Sequence, residues 1–236
     1  MRYFSRRVCA AQRLLGCLLL SLAIFSAQAA TPVKSEGESS LEVGIKAVDN
    51  KDYAKAFTVF SRLAKAGNAE AQHNLAMLYR AGKGVKKDLA ASFKWFHLAA
   101  EQGIPDAQYY LAYMYDNGEA VAKNPQKAFA WYLKAAEHGH GLAQINLGVI
   151  YANGLGVPQN VSRAYLWFHA AAAQGYKVAF ENRLVIEEAL KKQGDAGVKM
   201  LESLKKQARD YYRQYVQPYE PKTTPHHGTK IPSSGD

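Results

Sequence analysis

Seven histidines are the first residues in this chain that could do chemistry, because imidazole both ligates zinc and moves protons near neutral pH. A zinc site needs three or four His, Cys or carboxylate ligands at short spacing. His138 and His140, and the pair His226-His227, are local clusters with no carboxylate or cysteine at ligand spacing. His97 and His169 read as equivalent positions on successive second helices, one repeat apart and too distant to share an ion, so they read as core-edge or surface histidines. The loops Gly82-Lys83-Gly84 and Gly154-Leu155-Gly156 could be imagined as phosphate cradles. A phosphate loop, however, needs further glycines, a Lys-Ser/Thr pair and a preceding strand, and none is present. No Gly-x-Ser-x-Gly elbow or Ser-x-x-Lys pair occurs, and the acids are spread over helix surfaces. The reading is therefore no catalytic residue, no metal, no cofactor and no enzyme.

What positions every one of these residues is a repeat of 36 residues. Ala71-Gln72, Ala107-Gln108 and Ala143-Gln144 open three copies. Tyr79, Tyr115 and Tyr151 follow in step, then Gly82, Gly118 and Gly154, then Trp95, Trp131 and Trp167, and finally Gly103, Gly139 and Gly175. A period between 20 and 50 residues means stacked supersecondary units, so architecture and mode of action follow from the repeat.

Each unit reads as two helices. The first, such as Ala71 to Arg80, sets Ala71, Leu75, Leu78 and Tyr79 on one face; the second, such as Leu89 to Gln102, carries Phe93, Trp95, Phe96, Ala99 and Ala100. Gly82, Gly118 and Gly154 suit left-handed helix ends, and Asp88, Asn124 and Asn160 suit the N-caps of the second helices. Counting back by the period makes Asp52 to Ala66 another second helix and Leu41 to Val48 a degenerate first helix capping the array. Counting forward, Ala179 opens a helix to about Lys192, in which Arg183 and Glu187 replace the expected Leu and Tyr. A last helix, Ala196 to about Tyr215, has Val198, Leu201, Leu204, Ala208, Tyr211 and Tyr215 on one face.

The first 29 residues read as a signal peptide, with Arg2, Arg6, Arg7 and Arg13 and no acid, an apolar run from Leu14 to Phe25, and Ala27-Gln28-Ala29 as a small-x-small site. Cleavage after Ala29 removes both cysteines, Cys9 and Cys17, and takes the formal charge from +10 to +6. The mature chain then has no thiol chemistry and depends on its apolar core. Residues 30–40 read as a flexible linker, 41–178 as the repeat array with its N-terminal cap, 179–217 as C-terminal capping helices and 218–236 as a disordered tail. The expected location is periplasmic or secreted.

The string Ala143 to Val157, followed by Ala164-Tyr165-Leu166-Trp167-Phe168 and by Ala171-Ala172 to Gly175, resembles a Sel-one-like repeat, a subfamily of the tetratricopeptide-like α/α solenoids. The resemblance covers roughly Asp52 to Val178. Ala120 departs from it by replacing the second loop glycine of the middle copy, and Ala76 and Ala112 replace the helix glycine kept at Gly148. It implies an all-α, right-handed superhelical solenoid of about ten helices, acting as a scaffold that binds a protein or peptide in the bacterial envelope. A cysteine-rich exported branch of the family has disulfide-linked helix pairs and penicillin binding; without those cysteines, that activity is not carried over.

In such solenoids the first helix of each hairpin lines the concave face. The positions left over by the inward-packing Leu and Tyr are His73, Tyr109 and Ile145 in one row, Met77, Tyr113 and Val149 in the next, and Arg80, Asp116 and Ala152 beyond. These form the expected partner-binding groove, with Tyr109 and Tyr113 as its anchors. Trp131 is expected in the core, where truncation to alanine costs about 3–5 kcal/mol. The last helix offers Lys205, Lys206, Arg209 and Arg213 as an alternative contact to an anionic envelope polymer or membrane surface. Nucleic acid is not expected as a partner of an exported protein.

Overall fold

The computed structural model describes residues 40–215 and 217–219. The signal peptide and its cleavage site, the linker up to residue 39, the tail beyond 219 and the pair His226-His227 lie outside the described residues. Among the described residues there are ten α-helices and no strand. They are α1 (Leu41–Asp49), α2 (Tyr53–Lys65), α3 (Ala69–Ala81), α4 (Leu89–Glu101), α5 (Pro105–Asn117), α6 (Pro125–Glu137), α7 (Gly141–Asn153), α8 (Val161–Ala173), α9 (Lys177–Lys191) and α10 (Asp195–Tyr215). A 3₁₀ turn at Gln217–Tyr219 follows. Every helix end lies within two residues of its sequence expectation. The boundary drawn between 178 and 179 nevertheless falls inside α9, and residues 218 and 219, assigned to the tail, belong to the 3₁₀ turn.

Consecutive helices pack as antiparallel hairpins, each touching its neighbours along the chain, and α10 folds back onto α8 as well as α9. Local chemistry sets the ends. Gly82, Gly118 and Gly154 end α3, α5 and α7 at φ +67°, +73° and +69°, the left-handed region that a Cβ disfavours. Ala120 holds φ +59° where Gly84 and Gly156 stand in the flanking copies. Asp88, Asn124 and Asn160 each accept a 2.9 Å bond from the backbone amide three residues on, satisfying one free donor of α4, α6 and α8.

The Ala-Gln opening of each repeat has a structural use. The alanines are fully buried, and Gln72, Gln108 and Gln144 donate Nε2 to the carbonyls of Ala64, Ala100 and Ala136 at 3.1–3.2 Å, tying each unit to the end of the preceding one. Gln102 and Gln174 donate in turn to the Oε1 of Gln72 and Gln144. His138 stands at the equivalent position in the middle unit, and Gln108 Oε1 is buried without a hydrogen-bond partner.

Between hairpins the bulk is aromatic. Phe57–Tyr79, Phe93–Tyr115 and Phe129–Tyr151 meet edge to face with centroids 5.5–5.6 Å apart, a geometry that adds to the area they bury. The tryptophan column behaves less uniformly. Trp167 is 2% exposed because Tyr211 and Tyr215 of α10 lie 4.9 and 5.6 Å from it. Trp131 is only half-buried, beside His97 and beneath Lys134 Nζ, 3.9 Å from its ring. The expectation of a core Trp131 is corrected accordingly: its ring carries Lys134, where that of Trp167 carries Tyr211 and Tyr215 of α10. Val198, placed by periodicity on the buried face of α10, is exposed.

Candidate partner-binding groove

The predicted groove residues fall on the first helices, and side chains at i, i+3, i+7 and i+10 of a helix share a face. On α5 that face reads Asp106, Tyr109, Tyr113, Asp116. Asp116 and Val149, from different rows, line one cleft together with Asn146, Ile150 and Leu155. Its cavity volume is about 80 Å³, far below the roughly 300–1,000 Å³ of a small-molecule pocket. The surface suits a chain laid across it better than a cofactor.

Not every predicted residue is available to a ligand. Met77 is 8% exposed and belongs to the core, a correction to its groove assignment: it is buried in the same apolar cluster as Phe96 and Tyr115 instead of standing open to a ligand. His73 packs against Phe96 and Tyr110, themselves stacked at 5.0 Å, with ring centroids 5.6 and 6.1 Å away, and its Nδ1 is buried without a hydrogen-bond partner. Burial lowers its pKa below the usual imidazole value, against the opposing pull of Asp106. Arg80 is half-buried and already engaged. It reaches Glu119 at 3.3 Å and lies 5.5 and 5.2 Å over the rings of Tyr110 and Tyr113.

Tyr109 is half-buried against the next hairpin, stacked on His140 at 4.5 Å and tilted against Tyr132 at 5.8 Å. Burial, helped by Tyr110 and Tyr113, pushes its phenol up to about 12. Tyr132 is buried with its hydroxyl bonded to Asn146, and burial with the charge of Asp116 raises it further. Such phenols stay protonated at neutral pH and serve as ring faces and hydrogen-bonding hydroxyls. His140 accepts the Ala143 amide on Nδ1 at 3.2 Å, which leaves Nε2–H to face Asp106 at 3.2 Å. That bond is the main cause holding the Asp106 carboxyl below its ordinary range, so Asp106 is ionised and largely exposed at the edge of the aromatic cluster.

Tyr113, Asp116, Ile145, Val149 and Ala152 are half-buried on the same face and present partial surfaces. Sequence reasoning missed the continuation of this face. Three residues before His73, Tyr109 and Ile145 stand Glu70, Asp106 and Leu142, and one period beyond α7 stand Val178, Glu181, Val185 and Glu188 of α9. Leu142, Val178 and Val185 are 41%, 56% and 65% exposed. Extending the columns by the same period reaches Glu181, Val185 and Glu188; Leu142 and Val178 need a further column three residues earlier.

The basic set on α10 is partly neutralised. Lys205 pairs with Glu202 at 2.9 Å and Arg213 with Asp210 at 3.5 Å, while Lys206 and Arg209 are exposed. His97 and His169 stand two repeats apart rather than one, on α4 and α8. Among the described residues no group of three His, Cys, Asp or Glu is placed to hold a metal ion, and no helix is long and apolar enough to cross a membrane.

Stacked helical hairpins with a continuous face on their first helices define an α-solenoid scaffold. A family model described as Sel1 repeat matches residues 69–104, 105–140 and 141–176, and residues 69–176 are thus three repeats of the Sel1-like repeat family. The structure is similar to a Sel1 repeat protein from Oxalobacter formigenes, with 32% identity and a TM-score of 0.60 over 62% of this chain and 59% of that one. It is also similar to c5321, a protective antigen of uropathogenic Escherichia coli strains displaying an SLR fold, with 26% identity and a TM-score of 0.50 over 77% of this chain and 46% of that one. The chain thus spans about half the length of these relatives. No curated protein matches it. The Sel1 repeat solenoid is a generally non-catalytic scaffold that commonly mediates protein–protein interaction.

Proposed function

We propose that this chain is an exported scaffold, without enzymatic activity, that holds a partner protein or peptide of the bacterial cell envelope across the face of α3, α5, α7 and α9. The observation that carries this reading is the α5–α7 surface, where Tyr113, Ile145 and Val149 are half-buried and Leu142 is open to solvent. A merely solvated helix face would be polar, whereas partly exposed rings and aliphatic side chains in one continuous surface mark interaction sites. Export rests on the Arg-rich start, the apolar run and Ala27-Gln28-Ala29, and terminal sequencing of the mature protein should find Ala30 first.

The alternative of an anionic glycan or lipid held by α10 draws on four cations, of which Lys205 and Arg213 share solvent-exposed pairs with Glu202 and Asp210 that hold them only weakly. A photo-crosslinking residue at Val149 tests the groove against one at Lys94 on the exposed side of α4. Partner captured in intact cells from Val149 and not from Lys94 supports the groove. Capture from both alike, or from Lys206 with steep loss in salt, removes it.

A further inference from the structure

The mature chain is basic, yet the face of its first helices is acidic. The four-position face of α3, α5, α7 and α9 holds five carboxylates, Glu70, Asp106, Asp116, Glu181 and Glu188, against one cation, Arg80. The guanidinium of Arg80 is itself occupied by Glu119 at 3.3 Å, and Asp106 accepts from His140 Nε2 at 3.2 Å with its side chain still 60% exposed. Exposed lysines such as Lys86, Lys94 and Lys134 stand elsewhere, on the second helices and hairpin loops. Charges further apart than the Debye length of about 8–10 Å are largely screened at physiological salt, so a ligand lying on this face meets the local carboxylates rather than the net charge. Glu181 shares Lys177 at 3.7 Å, but both side chains are more than half exposed and an exposed pair of this kind binds weakly.

The acids also have an order. On α5 they bracket Tyr109, which is stacked on His140, and Tyr113, which carries the Arg80 guanidinium; α7 then offers only aliphatic side chains; α9 returns to carboxylates, with Val185 between Glu181 and Glu188 and Val178 ahead of them. The chain supplies its own example of what such a surface holds, since the Arg80 guanidinium sits 5.2 Å over Tyr113 while bonded to a carboxylate, the cation–π arrangement. Resting on the groove reading above, we infer that the ligand is an extended segment with a Lys or Arg side chain at each end and aliphatic side chains between them. With successive first helices on the order of 10 Å apart, α5 and α9 are separated by about 20 Å, which an extended chain spans in roughly six residues.

The test selects random dodecapeptides by display on the immobilised mature chain, then measures the enriched peptides by fluorescence anisotropy on wild type, Asp106→Asn with Asp116→Asn, Glu181→Gln with Glu188→Gln, and Val149→Gln. The inference expects Lys or Arg flanking aliphatic residues, an affinity loss of about tenfold for each amide pair, and a flatter salt dependence. Enrichment of neutral or acidic peptides that respond to Val149→Gln but ignore both amide pairs overturns the inference and leaves the groove standing. Failure to enrich any peptide, or binding indifferent to all three variants, overturns the groove and the inference together. Thermal melts matching wild type confirm that the isosteric amides leave the fold intact.

Discussion

The Tyr165 hydroxyl donates a 3.1 Å hydrogen bond to Glu187 at the place where the three preceding hairpins set an edge-on aromatic pair. Glu187 in turn faces Arg183 at 3.4 Å, and Arg183 donates to His169 Nδ1 at 3.2 Å. The end of the array therefore replaces an apolar joint by a half-buried polar network, sealed by α10. Glu187→Ala strips Arg183 of its carboxylate and should cost about 2 kcal/mol, whereas the double change Arg183→Leu with Glu187→Tyr should be neutral or stabilising by about 1–3 kcal/mol. Denaturant titrations decide between them, and a double variant as weak as the single one would show that the network is irreplaceable.

His73 and His169 both have imidazoles that burial lowers below the ordinary value, helped at His169 by Arg183. A base lowered in the folded state is protonated more readily when unfolded, so its share of stability is present above about pH 6.5 and is lost as the pH falls toward the folded value. His73→Phe keeps the packing against Phe96 and Tyr110 and removes an unpartnered nitrogen. It should melt higher and lose less between pH 6.5 and 5 than wild type. Parallel melting curves across that window would mean that His73 does not sense acid.

The tryptophans separate two environments of one repeat position. Trp167→Ala, beneath Tyr211 and Tyr215, should cost about 3–5 kcal/mol, and Trp131→Ala about half that because its ring is only partly covered. Equal losses would refute the distinction.

Gln108 Oε1 needs a donor that Gln102 and Gln174 provide to its counterparts. His138→Gln should supply it and stabilise the chain by about 1 kcal/mol. Unchanged or lower stability by calorimetry would show that the glutamine cannot take up that rotamer here.

Helix ends, caps and the family were legible because glycines and short polar residues act locally and the period repeats them. What the period could not convey is what covers each column. Met77 shares a column with Tyr113 and Val149 but is buried; Trp131 and Trp167 share another, but only Trp167 lies under α10. The placement of α10 across α8 follows from no repeat unit, so Val198 was assigned inward on periodicity alone. One end of the groove is readable from the chosen columns, since Val185 continues that of Met77, Tyr113 and Val149; Leu142 lies on a further column, one turn toward the N-terminus of each first helix.

The bond from each opening glutamine to a backbone carbonyl of the preceding unit makes the joint indifferent to the side chains it joins. Removing residues 105–140 would bring Gln144 to Ala100, which already receives Gln108 in the same way. Duplication or loss of whole units during replication therefore keeps this glutamine-to-carbonyl bond at every seam, while pairs particular to one seam, such as Arg80–Glu119, change. The length of the ligand-facing surface becomes a quantity that can be changed in steps of about 10 Å without inventing a new contact, so a gene of this kind can try longer and shorter partners one repeat at a time.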